Sequence, residues 1–149
     1  MEITFKRRTN SQTITLEEFE YYQDNIVNKV LPADYREFML SARTNNGGIV
    51  YENNIYNISF PEGGGVLSDL FPIKYGGTGT IELVNERIGH ALPEGYLAIG
   101  ANTGGGYILM SLNADNYGTI KEWYADGSIE ELAPSFRQFL EDQRIDEED

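Results

Sequence analysis

Apolar and polar positions follow two rhythms along this chain, helical at the start and strand-like later. Thr15-Leu16-Glu17-Glu18 has the capping-box spacing, and Phe19, Tyr22, Ile26, Val27 and Val30 fall near one helical face, predicting a helix over about 15–29. The helix should stop before Leu31-Pro32. Pro32 suits the first turn of a second helix, because it has no N–H to leave unpaired there, and Tyr35, Phe38, Met39 and Ala42 supply that helix's apolar stripe. Asn45-Asn46-Gly47-Gly48 is expected to end it, glycine accepting the positive φ common at helix C-termini.

Strand patterns follow. Ile49-Val50-Tyr51 and Ile55-Tyr56-Asn57-Ile58-Ser59-Phe60 read as a hairpin turning at Asn53-Asn54, after which Pro61-Glu62-Gly63-Gly64-Gly65 breaks the pattern and no period returns before Gly79. Ile81, Leu83, Val84, Ile88 and Leu92 predict a third helix from Thr80, ended by Gly89 or Pro93. The last third is the clearest. Tyr96–Gly100, Tyr107–Leu112 and Thr119–Tyr124 read as strands, Asp126-Gly127 predicts one more reversal, and Ser135-Phe136-Arg137-Gln138 caps a closing helix with Phe136, Phe139 and Leu140 on one face. Helices, an antiparallel meander and a covering helix give a single α+β domain, mainly an antiparallel sheet packed against helices. We divide the chain into an extension or edge strand over 1–14, the domain proper over 15–141 and an acidic tail over 142–149.

Composition narrows the functions open to such a domain. The chain has 149 residues, the length of one ordinary domain, and its 10 Tyr, 7 Phe and single Trp provide large core pieces. Net charge is -13, and the second half carries most of it: residues 76–149 hold 14 acids against 4 bases. Such a surface repels phosphate backbones, so direct nucleic-acid binding is excluded as an expectation. With no cysteine and one histidine, thiolate zinc sites and thiol nucleophiles are absent and imidazole chemistry is scarce. No apolar run approaches the ~20 residues that span a bilayer, which points to a soluble, cytoplasmic protein.

Each candidate motif has a structural counterpart. Gly100-Ala101-Asn102-Thr103-Gly104-Gly105-Gly106 lacks the Lys and Ser/Thr of a phosphate loop and leads into a strand, so it reads as a hairpin connection. Asn113-Ala114-Asp115-Asn116-Tyr117-Gly118 fits a calcium loop poorly, because Tyr124 occupies the position of the closing glutamate. His90 reads as a helix-terminal cation rather than a catalyst, and adjacent acids such as Glu17-Glu18 or Glu130-Glu131 read as a solvated face. No catalytic residue, metal ligand or cofactor site is assigned. On the third strand of the meander, alternation sends one of Trp123 and Tyr124 to the core; packing of both in the core is the favoured reading, and an exposed aromatic rimmed by Glu122 and Asp126 would suit a protein-binding surface.

Read in order, Leu31-Pro32-Ala33-Asp34-Tyr35-Arg36-Glu37-Phe38, Asn46-Gly47-Gly48, Ile99-Gly100 with Gly104-Gly105-Gly106, Gly118 with Trp123, and Ala133-Pro134-Ser135-Phe136-Arg137-Gln138-Phe139-Leu140 resemble the SUKH superfamily over about residues 15–141. The resemblance implies an α+β domain without catalytic activity. Many bacterial members are immunity proteins that neutralise toxins, often nucleases, and a fungal relative regulates cell-wall synthesis. The family commonly has an Asp after the glycine-rich turn and another closing that strand, positions held here by Tyr107 and Asn113. The reading that follows is an immunity protein whose partner is a cognate toxin domain, contacted through Asp115, Tyr117, Glu122, Tyr124 and Asp126. A regulatory or scaffolding module is the alternative, and a carboxylate-based hydrolase a third reading.

Overall fold

The computed structural model describes residues 4–7, 14–40, 42–45, 48–51, 55–59, 67–71, 73–74, 79–102 and 104–142. Helix α1 (Leu16–Tyr21) begins as the sequence predicts: the Thr15 hydroxyl accepts from Glu18 N–H, and the Glu18 carboxylate accepts from Thr15 N–H. It then widens into a π-helical stretch, Tyr22–Val27, that ends at a left-handed Asn28 with φ 63°. The wider turn changes which side chains face inward. Phe19 and Tyr22 are buried, but Ile26 and Val30, expected on the same face, are exposed. Pro32 precedes α2 (Ala33–Leu40), which buries Tyr35 and Met39.

Short strands follow: β1 (Thr4–Arg7), β2 (Ala42–Asn45), β3 (Gly48–Tyr51), β4 (Ile55–Ser59) and β5 (Leu67–Leu70). Three expectations are corrected here. Residues 42–45 are a strand paired with β3, so Asn45 and Gly48 flank a hairpin connection rather than a helix end. Asn-Gly pairs serve both purposes, and β-branched Thr44 without an apolar stripe favours the strand. Among the described residues β3 and β4 are not paired with each other; β4 pairs with β1 across most of the first half of the chain. β5 was unpredicted because its register with the next strand slips between Leu67 and Asp69, which breaks the alternation. The expected Asn53-Asn54 turn, the break at 61–65 and the tail beyond Asp142 fall outside the described residues.

The principal sheet is antiparallel, in the order β5-β6-β7-β8-β9, with β6 (Tyr96–Asn102), β7 (Tyr107–Ser111), β8 (Ile120–Trp123) and β9 (Ile129–Ala133) forming the expected meander. Leu97 to Gly100 and Ile108 to Ser111 are buried without interruption, so the central strands are covered on both faces. Helix α3 (Ile81–Ile88), capped by Thr80, lies against β6, and α4 (Phe136–Asp142), capped by the Ser135 hydroxyl, lies against β9 and α2. The Asp34 carboxylate accepts from Arg137 N–H at 3.0 Å, joining α2 to the start of α4. Phe19, Tyr35, Phe38 and Phe136 form the aromatic core between these helices, Tyr35 and Phe136 meeting edge to face at 5.2 Å.

One side chain closes the sheet where β5 is too short. Ala98 is wholly buried beside β6's register slip, and its N–H and C=O both pair with the Asn85 carboxamide of α3, at 2.9 and 2.8 Å. Asn85 thus acts as one residue of a missing strand. Asn85→Ala strands a buried donor and acceptor, and the expected loss is roughly 2–4 kcal/mol in urea unfolding with m unchanged.

Tyr22 and Tyr35 are buried, and burial pushes both phenols above their ordinary range, Glu82 adding to the effect. Among the described residues the Tyr35 hydroxyl has no hydrogen-bond partner. The folded state therefore holds these protons above pH ~10, where the unfolded chain releases them, so stability falls as pH rises past ~10. A phenolate absorbance titration should show that Tyr22 and Tyr35 ionise only on unfolding. Tyr35→Phe should stay folded and lower the number of late-ionising tyrosines by one.

Candidate functional site

The five residues singled out in the sequence divide between the two ends of the β7–β8 hairpin. At the end where β7 begins and β8 finishes lie Glu122, Tyr124 and Asp126. At the opposite end, in the link from β7 to β8, lie Asp115 and Tyr117.

The first group is organised by a residue that sequence reasoning did not select. Asn102, buried at the end of β6, donates through Nδ2 to Glu122 Oε2 at 2.8 Å and to the Tyr124 hydroxyl at 3.0 Å. Its Oδ1 accepts from Gly104 N–H at 3.0 Å and Gly106 N–H at 2.6 Å. Two of the amides that could cradle an anion are thus already occupied by a carboxamide, which stands against the phosphate-loop reading. Gly106 makes room for the arrangement: a Cβ there would stand 2.5 Å from the Trp123 carbonyl oxygen and 2.8 Å from the Tyr124 ring. An asparagine at a strand end, two residues before a run of glycines, was the available signal.

Trp123 and Tyr124 divide as alternation required. Trp123 is buried, 6.1 Å from the Tyr107 ring, which stands 6.3 Å from Phe71; Tyr124 is half-buried. Tyr107, one of the two positions where the resembled family commonly has an Asp, is therefore a packing residue. Asp126 sits in the exposed turn from β8 to β9, where Gly127 N–H donates to Tyr124 O and Gly127 takes φ 96°. Hydrogen bonds from Ser128, its hydroxyl and its N–H, hold the Asp126 carboxyl below its ordinary value. Beyond the turn, Glu130 and Glu131 are exposed on β9, Glu130 directly opposite Glu122 and Glu131 opposite Lys121. Like charges opposite one another weaken a sheet, so Glu122 and Glu130 contribute little to folding through this contact.

The second group is built around another asparagine. Asn116 donates to the Tyr96 hydroxyl at 2.9 Å and accepts from Ser111 Oγ at 2.6 Å, while Ser111 Oγ accepts from Asn113 N–H. Lys121 lies 5.4 Å from the centre of the Tyr96 ring. Burial raises the Tyr96 phenol, but contacts from Lys121, Asn116 and Ser111 outweigh it and hold the group below its usual value; the same Tyr96 contact raises Lys121. Ser111 is committed on both sides, to the Asn116 carboxamide and the Asn113 N–H. Asn113, the other position where the family commonly has an Asp, donates to Glu94 O and fixes the link. Asp115 is exposed.

Tyr117 is 46% exposed and its hydroxyl donates to Val30 O. Burial and the nearby Asp34 raise its phenol above the ordinary value. With Gln23, Val30, Leu31, Ala33 and Arg36 it lines an open depression of about 330 Å³, which contains no carboxylate. His90 is exposed beyond α3, in a short 3-10 turn. Among the described residues no group of three or more His, Asp or Glu side chains is placed to hold a metal ion, and no helix is long and apolar enough to cross a membrane.

Residues 13–142 match the family model of the SMI1 / KNR4 family (SUKH-1). No curated protein and no solved structure matches the chain.

Asn102→Ala would leave the Gly104 and Gly106 N–H groups without an acceptor and release Tyr124 from the turn. The expected cost is roughly 2–3 kcal/mol in denaturant unfolding, with faster amide exchange at 104 and 106 as the local signature.

Proposed function

Because the chain belongs to the SMI1 / KNR4 family (SUKH-1), whose members act in protein–protein interactions, we propose that it is a non-catalytic protein-binding domain and, more specifically, a cytoplasmic immunity protein that neutralises a cognate bacterial toxin. The observation that carries this reading is the acidic end of the sheet. Glu122 and Tyr124 share one face there with Glu130, and Asp126 lies in the adjoining turn, an aromatic held in place by Asn102 and rimmed by acids. Rim charge speeds encounter and selects partners, whereas a fixed aromatic supplies contact area at little entropic cost. A chain of net charge -13 complements a basic partner such as a nuclease, whose own substrate is a polyanion. Asp115 and Tyr117, at the far end, would contribute only to a partner that wraps the β7–β8 hairpin.

A regulatory or scaffolding role draws instead on the depression beside Tyr117, which is apolar and carries Arg36 rather than acids. The hydrolase reading has no comparable support. Glu18 is engaged by Thr15 and Lys74, and the Glu130-Glu131 pair stands on an exposed strand rather than in a cleft.

Co-expression with the product of the adjacent upstream gene tests the proposal. The expected result is growth rescue and a complex that weakens as salt rises, with Glu122→Lys combined with Asp126→Lys slowing association about tenfold. Recovery of a non-toxin partner alone, with no complex with a toxin, would favour the regulatory role.

A further inference from the structure

We propose that the outer edge of β9 is a docking line on which a basic, extended segment of the partner adds as a further strand of the sheet; this rests on the protein-binding reading above and specifies the partner's chemistry. β9 ends the strand order, and among the described residues no strand pairs with its outer side. The other end of the sheet differs, because β5 has β4 beside it.

The direction of β9's backbone groups follows from the turn that precedes it. Tyr124 N–H donates to Ser128 O at 3.0 Å, and antiparallel pairs alternate between bonded and non-bonded. The Glu122–Glu130 pair is then bonded, whereas Trp123–Ile129 and Lys121–Glu131 are not. The N–H and C=O of Ile129 and Glu131 therefore point outward. Residues 129–131 are all exposed, and Pro134 closes the line after Ala133.

Side chains select the occupant. Ile129 and Glu131 share one face and Glu130 takes the other, with Glu122 behind it on β8. Ile129, opposite Trp123, is an apolar contact 43% exposed. A second copy of this chain is a poor occupant: an antiparallel β9–β9 pair centred on Glu130 sets Glu130 against its own copy. Acidic edges block this kind of self-association. The same acids favour a strand that alternates arginine or lysine, facing Glu130 and Glu122, with apolar residues facing Ile129.

The test uses the full chain and a short reporter peptide alternating arginine with valine, beside a control with glutamate for arginine. Binding is followed by fluorescence anisotropy and by amide hydrogen exchange. We expect the arginine peptide to bind, the control not to, and the amides of Ile129 and Glu131 to become protected. Glu131→Pro removes an outward donor without touching the bonds to β8, and Glu130→Lys keeps the backbone and reverses the charge. Each should weaken binding about tenfold, with an unfolding midpoint close to the parent's as the check on folding. No peptide binding, an affinity in both variants equal to the parent's, or protection confined to the depression beside Tyr117 would each overturn the proposal. The toxin experiment separates the two readings. A toxin neutralised equally well by Glu131→Pro removes the docking line and leaves the immunity role standing. A peptide that docks at 129–131 when no toxin partner exists does the reverse.

Discussion

A buried strand must pair every backbone N–H and C=O, and this domain meets that demand with side-chain amides where its strands run out. β6 and β7 are covered on both faces, so water is not available to them. β5 reaches only part of β6, and Asn85 supplies the two bonds that Ala98 would otherwise lack. At the far end of β6, Asn102 does the same for Gly104 and Gly106. A carboxamide has one donor side and one acceptor side, as a peptide unit does, and it can arrive from a helix or a strand end. The position of α3 and the shape of the glycine turn both follow from this.

Elements set by local rules were legible in the sequence. Thr15 with Glu18, Thr80, Ser135 and Pro32 announced helix starts, and the turn residues of 96–133 announced a meander whose strands pair with their neighbours in the chain. Non-local pairing was not legible. Alternation identified β4 as a strand but carried no information that its partner was Thr4–Arg7. The π-helical stretch defeated the helical period: widening the turn rotates Ile26 away from the face that Phe19 defines, and Val30 falls beyond the helix end at left-handed Asn28.

The candidate site was legible in parts. Glu122 and Tyr124 were chosen for their charge and strand position, and they do come together. Nothing in a linear reading separates them from Asp115 and Tyr117, which the antiparallel fold carries to the other end of the same hairpin. Asn102 escaped notice because asparagine in a glycine-rich run reads as turn chemistry. Its second pair of bonds, across β7 to β8, exists only in three dimensions.

That second pair of bonds has a thermodynamic consequence. One carboxamide ties the β6–β7 turn to the end of β8, so two loops that would otherwise move independently share a single set of constraints. Tyr124 and Glu122 are held in place by Asn102 in the free protein, which leaves these side chains little rotamer freedom to lose. Ordering that most loops undergo at association takes place here during folding. If the proposed site receives a partner, its contact surface is rigid beforehand, and differences among partners would appear chiefly as residence time rather than as the rate of capture.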